Sequence, residues 1–220
     1  MSETFLDLTD VTIRSVSVSE MSNNIYLVTS KGDGSQLLID AADDVAAIEG
    51  LVDSAASDAN VPTQLAGIAT THQHWDHIRA LAEYAGKTGV KTYAGAEDVD
   101  GIAAGANVVI DVPLKHGDTV SVGQVVLECV HLRGHTPGSI AYVLRDSDGT
   151  TVIFSGDSLF PGGVGNTGND PQRFTSLLDD VETRLFGAYP DEALVLTGHG
   201  SSTTLGAERP SLGEWRNRGW

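Results

Sequence analysis

Thr71-His72-Gln73-His74-Trp75-Asp76-His77 follows directly on the apolar run 65–69. Three imidazoles and a carboxylate therefore crowd the end of a strand, which is half of a two-metal site in a single loop. In extended backbone, residues two apart point the same way, so His72 and His74 can address one ion. Asp76 and His77 fall where Ile78, Leu81, Ala82 and Ala85 begin a helical pattern. The change in backbone direction aims this second pair at a different ion nearby. A polar surface loop is the plain alternative, but the chain has only 7 histidines and three of them lie here.

The remaining ligands lie downstream, each where an apolar strand gives way to a loop. His135 stands in Arg133-Gly134-His135-Thr136-Pro137-Gly138-Ser139, Asp157 closes Thr151-Val152-Ile153-Phe154-Ser155-Gly156, and His199 follows Ala193-Leu194-Val195-Leu196-Thr197-Gly198. Singly, each reads as an ordinary loop residue. Together, His72, His74, Asp76, His77, His135, Asp157 and His199 form a set of imidazoles and carboxylates suited to two divalent cations. Zinc is the first choice, with iron or manganese also compatible, ahead of calcium or a thiolate cluster.

With these motifs in order, preceded by Leu38-Ile39-Asp40, the chain resembles the metallo-β-lactamase superfamily over about residues 11–199, and within it the glyoxalase II-like hydrolases. The resemblance implies an α/β fold, the αββα four-layer sandwich. It also implies one ion on His72, His74 and His135, a second on Asp76, His77 and His199, and Asp157 bridging both, with Asp76 and Asp157 as the carboxylates of the catalytic centre. Asp40 has two readings, a brace for the metal loops or a helix cap ahead of Val45. The expected chemistry is attack by a bridging hydroxide, formed because paired cations lower the pKa of water to about 7. Its target is a small thioester or activated ester. The alternative is a mononuclear iron oxygenase similar to persulfide dioxygenases, which use the equivalents of His72, His135 and Asp157.

Two departures from glyoxalase II bear on the substrate. The loop after Asp157 carries Asn166 where that family resembles itself in having a basic residue, and a neutral amide makes no charge-assisted contact with glutathione. Only 21 residues follow His199, so the helical extension that completes a glutathione pocket is expected to be missing. Residues 160–166 should border the cleft, and the tail 203–220 should pack Trp215 or Trp220.

Composition narrows the remaining choices. A chain of 220 residues, 40% hydrophobic and without a Pro-rich or Ser-rich linker, is expected to form one domain over residues 1–220. No apolar run suits a bilayer and residues 1–10 do not resemble a secretory signal, so a cytoplasmic location is expected. The formal net charge of −17 disfavours nucleic acid and anionic membranes, leaving a small-molecule acyl substrate. The lone Cys129 sits in an apolar strand and reads as a buried thiol, while His116 and His131 fall outside the ligand pattern.

Periodicity predicts strands at 11–18, 25–28, 37–39, 108–110, 119–122, 125–130, 140–144 and 151–154, with a hairpin turn at 31–34. A helix follows Asp43 and Asp44 on the apolar positions Val45, Ile48, Leu51, Val52 and Ala55. A short helical excursion is expected over 94–104. A further helix is capped by Asp170, with Pro171 at its first position and Phe174, Leu177, Leu178, Val181 and Leu185 on one face.

Overall fold

Leu37 and Leu38, adjacent in the chain and both fully buried, enter two different apolar clusters. Alternation of that kind requires a sheet covered on both faces, and the computed structural model, which describes residues 6–219, contains two such sheets. The first joins β1 (Leu6–Asp7), β2 (Val11–Val18), β3 (Asn23–Ser30), β4 (Ser35–Ile39), β5 (Gln64–Ala69), β6 (Lys91–Gly95) and β7 (Val112–Leu114) in sequential order. Pairing is antiparallel through β4 and parallel from β4 to β7.

The second sheet is built from β8 (Thr119–Val122), β9 (Val125–His131), β10 (Ile140–Arg145), β11 (Thr151–Gly156), β14 (Leu194–Thr197) and β15 (Thr203–Thr204), in the order β15-β14-β11-β10-β9-β8. Between β11 and β14, the short strands β12 (Leu159–Phe160) and β13 (Gly163–Val164) form a separate ribbon.

Three apolar clusters define four layers. Ile13, Tyr26, Val28, Leu37 and Ile39 meet Leu127, Tyr142, Leu144 and Phe154 between the sheets. On the outer face of the first sheet, Leu27, Leu38 and Ile68 pack against α1 (Val45–Ser54), α3 (Leu81–Thr88) and α4 (Val99–Ala106) through Ile48, Leu51, Leu81, Tyr84 and Ile102. On the outer face of the second, Val143, Ile153 and Val195 pack against α5 (Pro171–Val181) and a C-terminal helix (Leu212–Arg218) through Phe174, Leu177, Leu178, Val181 and Trp215. This is the expected αββα sandwich. Among the described residues, no helix is long and apolar enough to cross a membrane.

Several local expectations need correction. Residues 94–104 do not form one helix: 94 and 95 end β6, and α4 begins only at Val99. Alanine and glycine at 94 and 95 mask a strand whose burial is inherited from its neighbours β5 and β7. Nor is 108–110 a strand. Asn107 ends α4 in the left-handed region, Val109 is 83% exposed, and the strand forms at 112–114, where Pro113 is tolerated because β7 is the edge. The helix after the metal loop is split into α2 (Trp75–Ile78) and α3, while Leu185, expected on α5, lies on a π turn (Glu182–Phe186). The anticipated cap is present, Asp170 accepting from the backbone N–H of Gln172 and Arg173.

The tail packs through Trp215, 1% exposed; Trp220 and the first half of residues 1–10 lie outside the described residues. Trp215→Ala should destabilise the fold by about 3–5 kcal/mol. Urea denaturation checks this as a lowered midpoint with an unchanged slope. A midpoint matching that of the parent would mean that the tail is not part of the cooperative unit.

Candidate metal centre

The carboxyl ends of β4, β5, β11 and β14 converge at one edge of the sandwich, where each strand hands its next residues to a loop. Asp40 follows β4 with φ 60, a conformation uncommon outside glycine, and its backbone N–H donates to Ala69 O at 2.9 Å. Both its oxygens are engaged. Oδ1 accepts from Thr71 N at 2.7 Å, and Oδ2 accepts from Thr71 Oγ1 and from His77 Nδ1, each at 2.8 Å. Asp40 is therefore the brace, and the cap of α1 is Asp44, which accepts from Ala47 N at 3.1 Å.

These bonds fix the histidine tautomers. A carboxylate can only accept, so His77 carries its proton on Nδ1. His199 Nδ1 donates to Met21 O at 2.9 Å and His135 Nδ1 to Asn166 O at 2.8 Å. The Thr71 hydroxyl proton goes to Asp40, so Thr71 Oγ1 accepts from His72 Nδ1 at 3.0 Å. In the neutral form of these four rings, every Nε2 is a bare lone pair. Yet His77 and His199 bring their Nε2 atoms to 3.1 Å, and His72 and His135 bring theirs to 3.3 Å. Two lone pairs at that range repel unless a positive charge stands between or beside them.

Carboxylates surround the same space. Asp157 Oδ1 lies 3.4 Å from His77 Nε2, and Oδ2 lies 3.4 Å from His199 Nε2 and 3.6 Å from His135 Nε2. Asp157 Oδ1 is buried without a hydrogen-bond partner. Such an atom is costly unless a cation satisfies it. Asp76 Oδ2 lies 3.3 Å from His199 Nε2 and accepts from Asn23 Nδ2 at 3.0 Å. The ligand atoms fall into three groups, each within 4.8 Å: His72, His74 and His135; His72, His77 and Asp157; and Asp76, His77 and His199. All seven residues expected from the sequence thus come together, whereas His131 donates to Pro137 O and stays outside with His116.

Proton affinities divide the centre in two. Burial holds His72 well below the usual histidine value, lowers His74, and brings His135 to about 4, so this half is neutral and ready to ligate. Burial would also lower His77, but Asp157 beside it and its hydrogen bond to Asp40 outweigh that and lift it to about 10. The nearby Asp157 raises His199 as well. Burial works against ionising Asp157, yet His199 and His77, each 3.4 Å away, hold it far below the carboxylate range. A proton there occupies the place a metal cation would take. Cys129 takes no part: it is buried and free, and burial pushes its thiol up to about 12.

Sequence reasoning missed several supporting groups. Asn23, on β3, steers Asp76. Buried Asp98 accepts from Gln73 N at 2.9 Å, Thr136 Oγ1 at 2.6 Å and Gly138 N at 2.7 Å, tying the His72–His77 loop to the His135 loop. Arg173, in the first turn of α5, donates to Gly134 O at 2.8 Å and His135 O at 2.5 Å. None carries a local signal, because each acts across elements distant in sequence. Two glycines are forced by close approach: a Cβ on Gly198 would lie 2.2 Å from Asp157 Oδ1, and one on Gly165 would lie 1.7 Å from Asp157 O.

The 160–166 loop lies beside the centre: the Asn166 carbonyl holds His135, the Asn166 side chain accepts from Gly168 N, and the Phe160 ring lies 6.4 Å from that of His199. A cavity of about 700 Å³ beside His74 and His135 is walled by residues 133–137 and the start of α5.

The comparisons with known proteins agree with this architecture. Hydroxyacylglutathione hydrolase GloC of Haemophilus influenzae is 29% identical over 64% of this chain and 71% of its own length. The crystal structure of ETHE1 from Myxococcus xanthus aligns with a TM-score of 0.75 at 27% identity, covering 93% of this chain and 84% of that one. TTHA1623 in a di-iron-bound form aligns with a TM-score of 0.69 at 29% identity, covering 89% and 96%. The family model described as the metallo-beta-lactamase superfamily matches residues 18–199. The fold, the ordered ligand set and this match agree, and the chain belongs to the metallo-β-lactamase superfamily.

Proposed function

We propose that the chain is a binuclear metallohydrolase that cleaves a small thioester or other activated ester. The observation that carries the reading is Asp157. One carboxylate reaches His135 on one side and His77 and His199 on the other, and keeps a buried oxygen with no protein partner. On this reading His72, His74 and His135 would hold one cation, Asp76, His77 and His199 would hold the other, and Asp157 would serve both. When bound, a pair of divalent cations supplies an acidified water and polarises the substrate carbonyl. The donor chemistry favours zinc, and the di-iron form of a structural relative supports iron as a second choice.

The chain's own groups orient and insulate that chemistry. Asp40, Met21 O, Asn166 O and Thr71 lock the four imidazoles so that each Nε2 faces the centre. Asn23 keeps Asp76 turned inward, and Phe160 covers the His199 side. The name of the Haemophilus relative supports acyl-thiol hydrolysis. Because the Asn166 side chain is neutral and engaged with Gly168 N, a thiol carrier other than glutathione is favoured.

Metal analysis combined with a thioester hydrolysis assay tests the reading. About two cations per chain are expected, with His77→Ala falling to about one and losing most hydrolysis while the fold is retained. A single iron with full activity would instead support a mononuclear centre on His72, His135 and Asp157.

The proton held at His77 below pH about 10 must leave when a cation binds. Calorimetric titration of the second cation near neutral pH should therefore depend on the buffer's ionisation enthalpy, with about one proton released. Lowering the pH should weaken that cation's binding. Hydrolysis by an acidified water should rise with pH through about 6–8 and then level off; a flat profile under chemistry-limited conditions would count against it.

Asp40→Asn keeps one acceptor oxygen and turns an NH2 group toward at least one of the three donors, Thr71 N, Thr71 Oγ1 and His77 Nδ1. It should weaken cation binding about 10–100-fold, read by competition with a chelator, while thermal stability of the metal-free protein changes little by comparison.

A further inference from the structure

The cavity of about 700 Å³ beside the first triad has His74 and His135 at its inner end and two guanidiniums, Arg133 and Arg173, in its wall. We infer that it seats an anionic group, a carboxylate or a phosphate, at the far end of the substrate. The inference rests on the hydrolase reading above and adds a substrate class to it.

The two arginines are held in place by bonds that leave donors over. Arg173 spends Nε and Nη2 on the carbonyls of Gly134 and His135. Among the described residues its guanidinium makes no ion pair, and its hydrogen bonds go to neutral carbonyls. Arg133 points Nε and Nη2 at buried Asp180, at 2.8 and 2.7 Å. That carboxylate is shared with Arg184, whose Nη2 lies 3.3 Å away, while Glu97 and Asp179 add weaker attraction to Arg133. For both Arg133 and Arg173, Nη1 has no acceptor among the described residues. A guanidinium carries five N–H donors in a rigid plane, and the unused edge matches a carboxylate or phosphate.

The acidic groups of the cavity do not cancel this arrangement. Asp170 uses its Oδ1 to cap α5, accepting from Gln172 N and Arg173 N, where the helix end itself favours negative charge. Glu97 is 60% exposed at the rim and lies 3.7 Å from His131, so solvent and salt screen it. In a chain of net charge −17, two guanidiniums in the wall beside His74 and His135 concentrate positive charge; both are solvent-exposed, Arg133 by 52%, so salt screens them as it screens Glu97.

The test uses the metal-loaded protein and two short alkyl thioethers, one ending in a carboxylate and the other in its methyl ester. Calorimetry should show the carboxylate binding about tenfold more tightly, as a charge-assisted contact predicts. Arg133→Gln should cut the ratio to about twofold to threefold, with Arg173 holding what remains. It should leave the thermal midpoint near that of the parent, because Arg184 still pairs with Asp180. Arg133→Lys, which keeps the charge but loses the fork, should restore only part of the preference. Raised salt should shrink the preference in the parent and leave the ester's binding unchanged.

The matching pair of thioesters should show the same ratio in kcat/KM, carried mainly by KM. Equal binding of acid and ester overturns the inference. So does a carboxylate preference unchanged by Arg133→Gln, since the anion would then be held away from the Arg133 wall. If the preference and its reduction are both seen but neither thioester is hydrolysed, the anion seat stands and the hydrolase reading falls.

Discussion

Bare imidazole lone pairs and ionised carboxylates cannot be packed together in a buried crevice unless positive charge joins them. His77 and His199 at 3.1 Å, His72 and His135 at 3.3 Å, and the orphaned Asp157 Oδ1 are all instances of that constraint. Left free, the rings would rotate to donate to one another or to water. They are prevented by Nδ1 acceptors drawn from four places: the end of β4, the turn before β3, the loop after β13, and Thr71. Much of the local structure is thus an apparatus for holding repelling groups still.

The two sheets share that work. The first contributes His72, His74, Asp76, His77, Asp40 and Asn23, while the second contributes His135, Asp157 and His199. Bonds between the sheets flank the centre. Tyr26 Oη donates to Thr197 O and Tyr142 Oη to Thr70 O, each at 2.8 Å. Backbone N–H groups of Asn24 and Ile140 reach Gly198 O at 2.8 Å and Thr71 O at 2.9 Å. A small slide of one sheet over the other would change every distance across the centre. These bonds and the close-packed layer between the sheets fix the spacing, and the absence of side chains at Gly198 and Gly165 allows the backbone to close around Asp157.

Most strands and helices and all seven candidate ligands were legible in the sequence from short-range pattern, while the four-layer arrangement and the division of ligands between two ions rested on the family resemblance. Alternation exposed the long strands, the 3.6-residue period exposed α1 and α5, and the His72–His77 motif carried its own geometry. Where pattern was weak the reading slipped. Lys91–Gly95 forms a strand only because β5 and β7 pair with it, and Val109 is exposed despite its valine neighbours.

Sequence by itself determined which side chains could bind metal and the order of strands and loops that would present them. Tertiary structure alone decided what holds those side chains in place. Asp40 could have capped a helix, and only its approach to Thr71 and His77 makes it a brace. Asn166 mattered for its carbonyl, Asp98 and Asn23 for partners 25 to 53 residues away, and Arg173 for two carbonyls at the foot of a cavity. The physical reason is the range of the interaction. Ligand identity and strand periodicity are local properties, whereas hydrogen bonds between segments far apart in sequence exist only once the two sheets have packed.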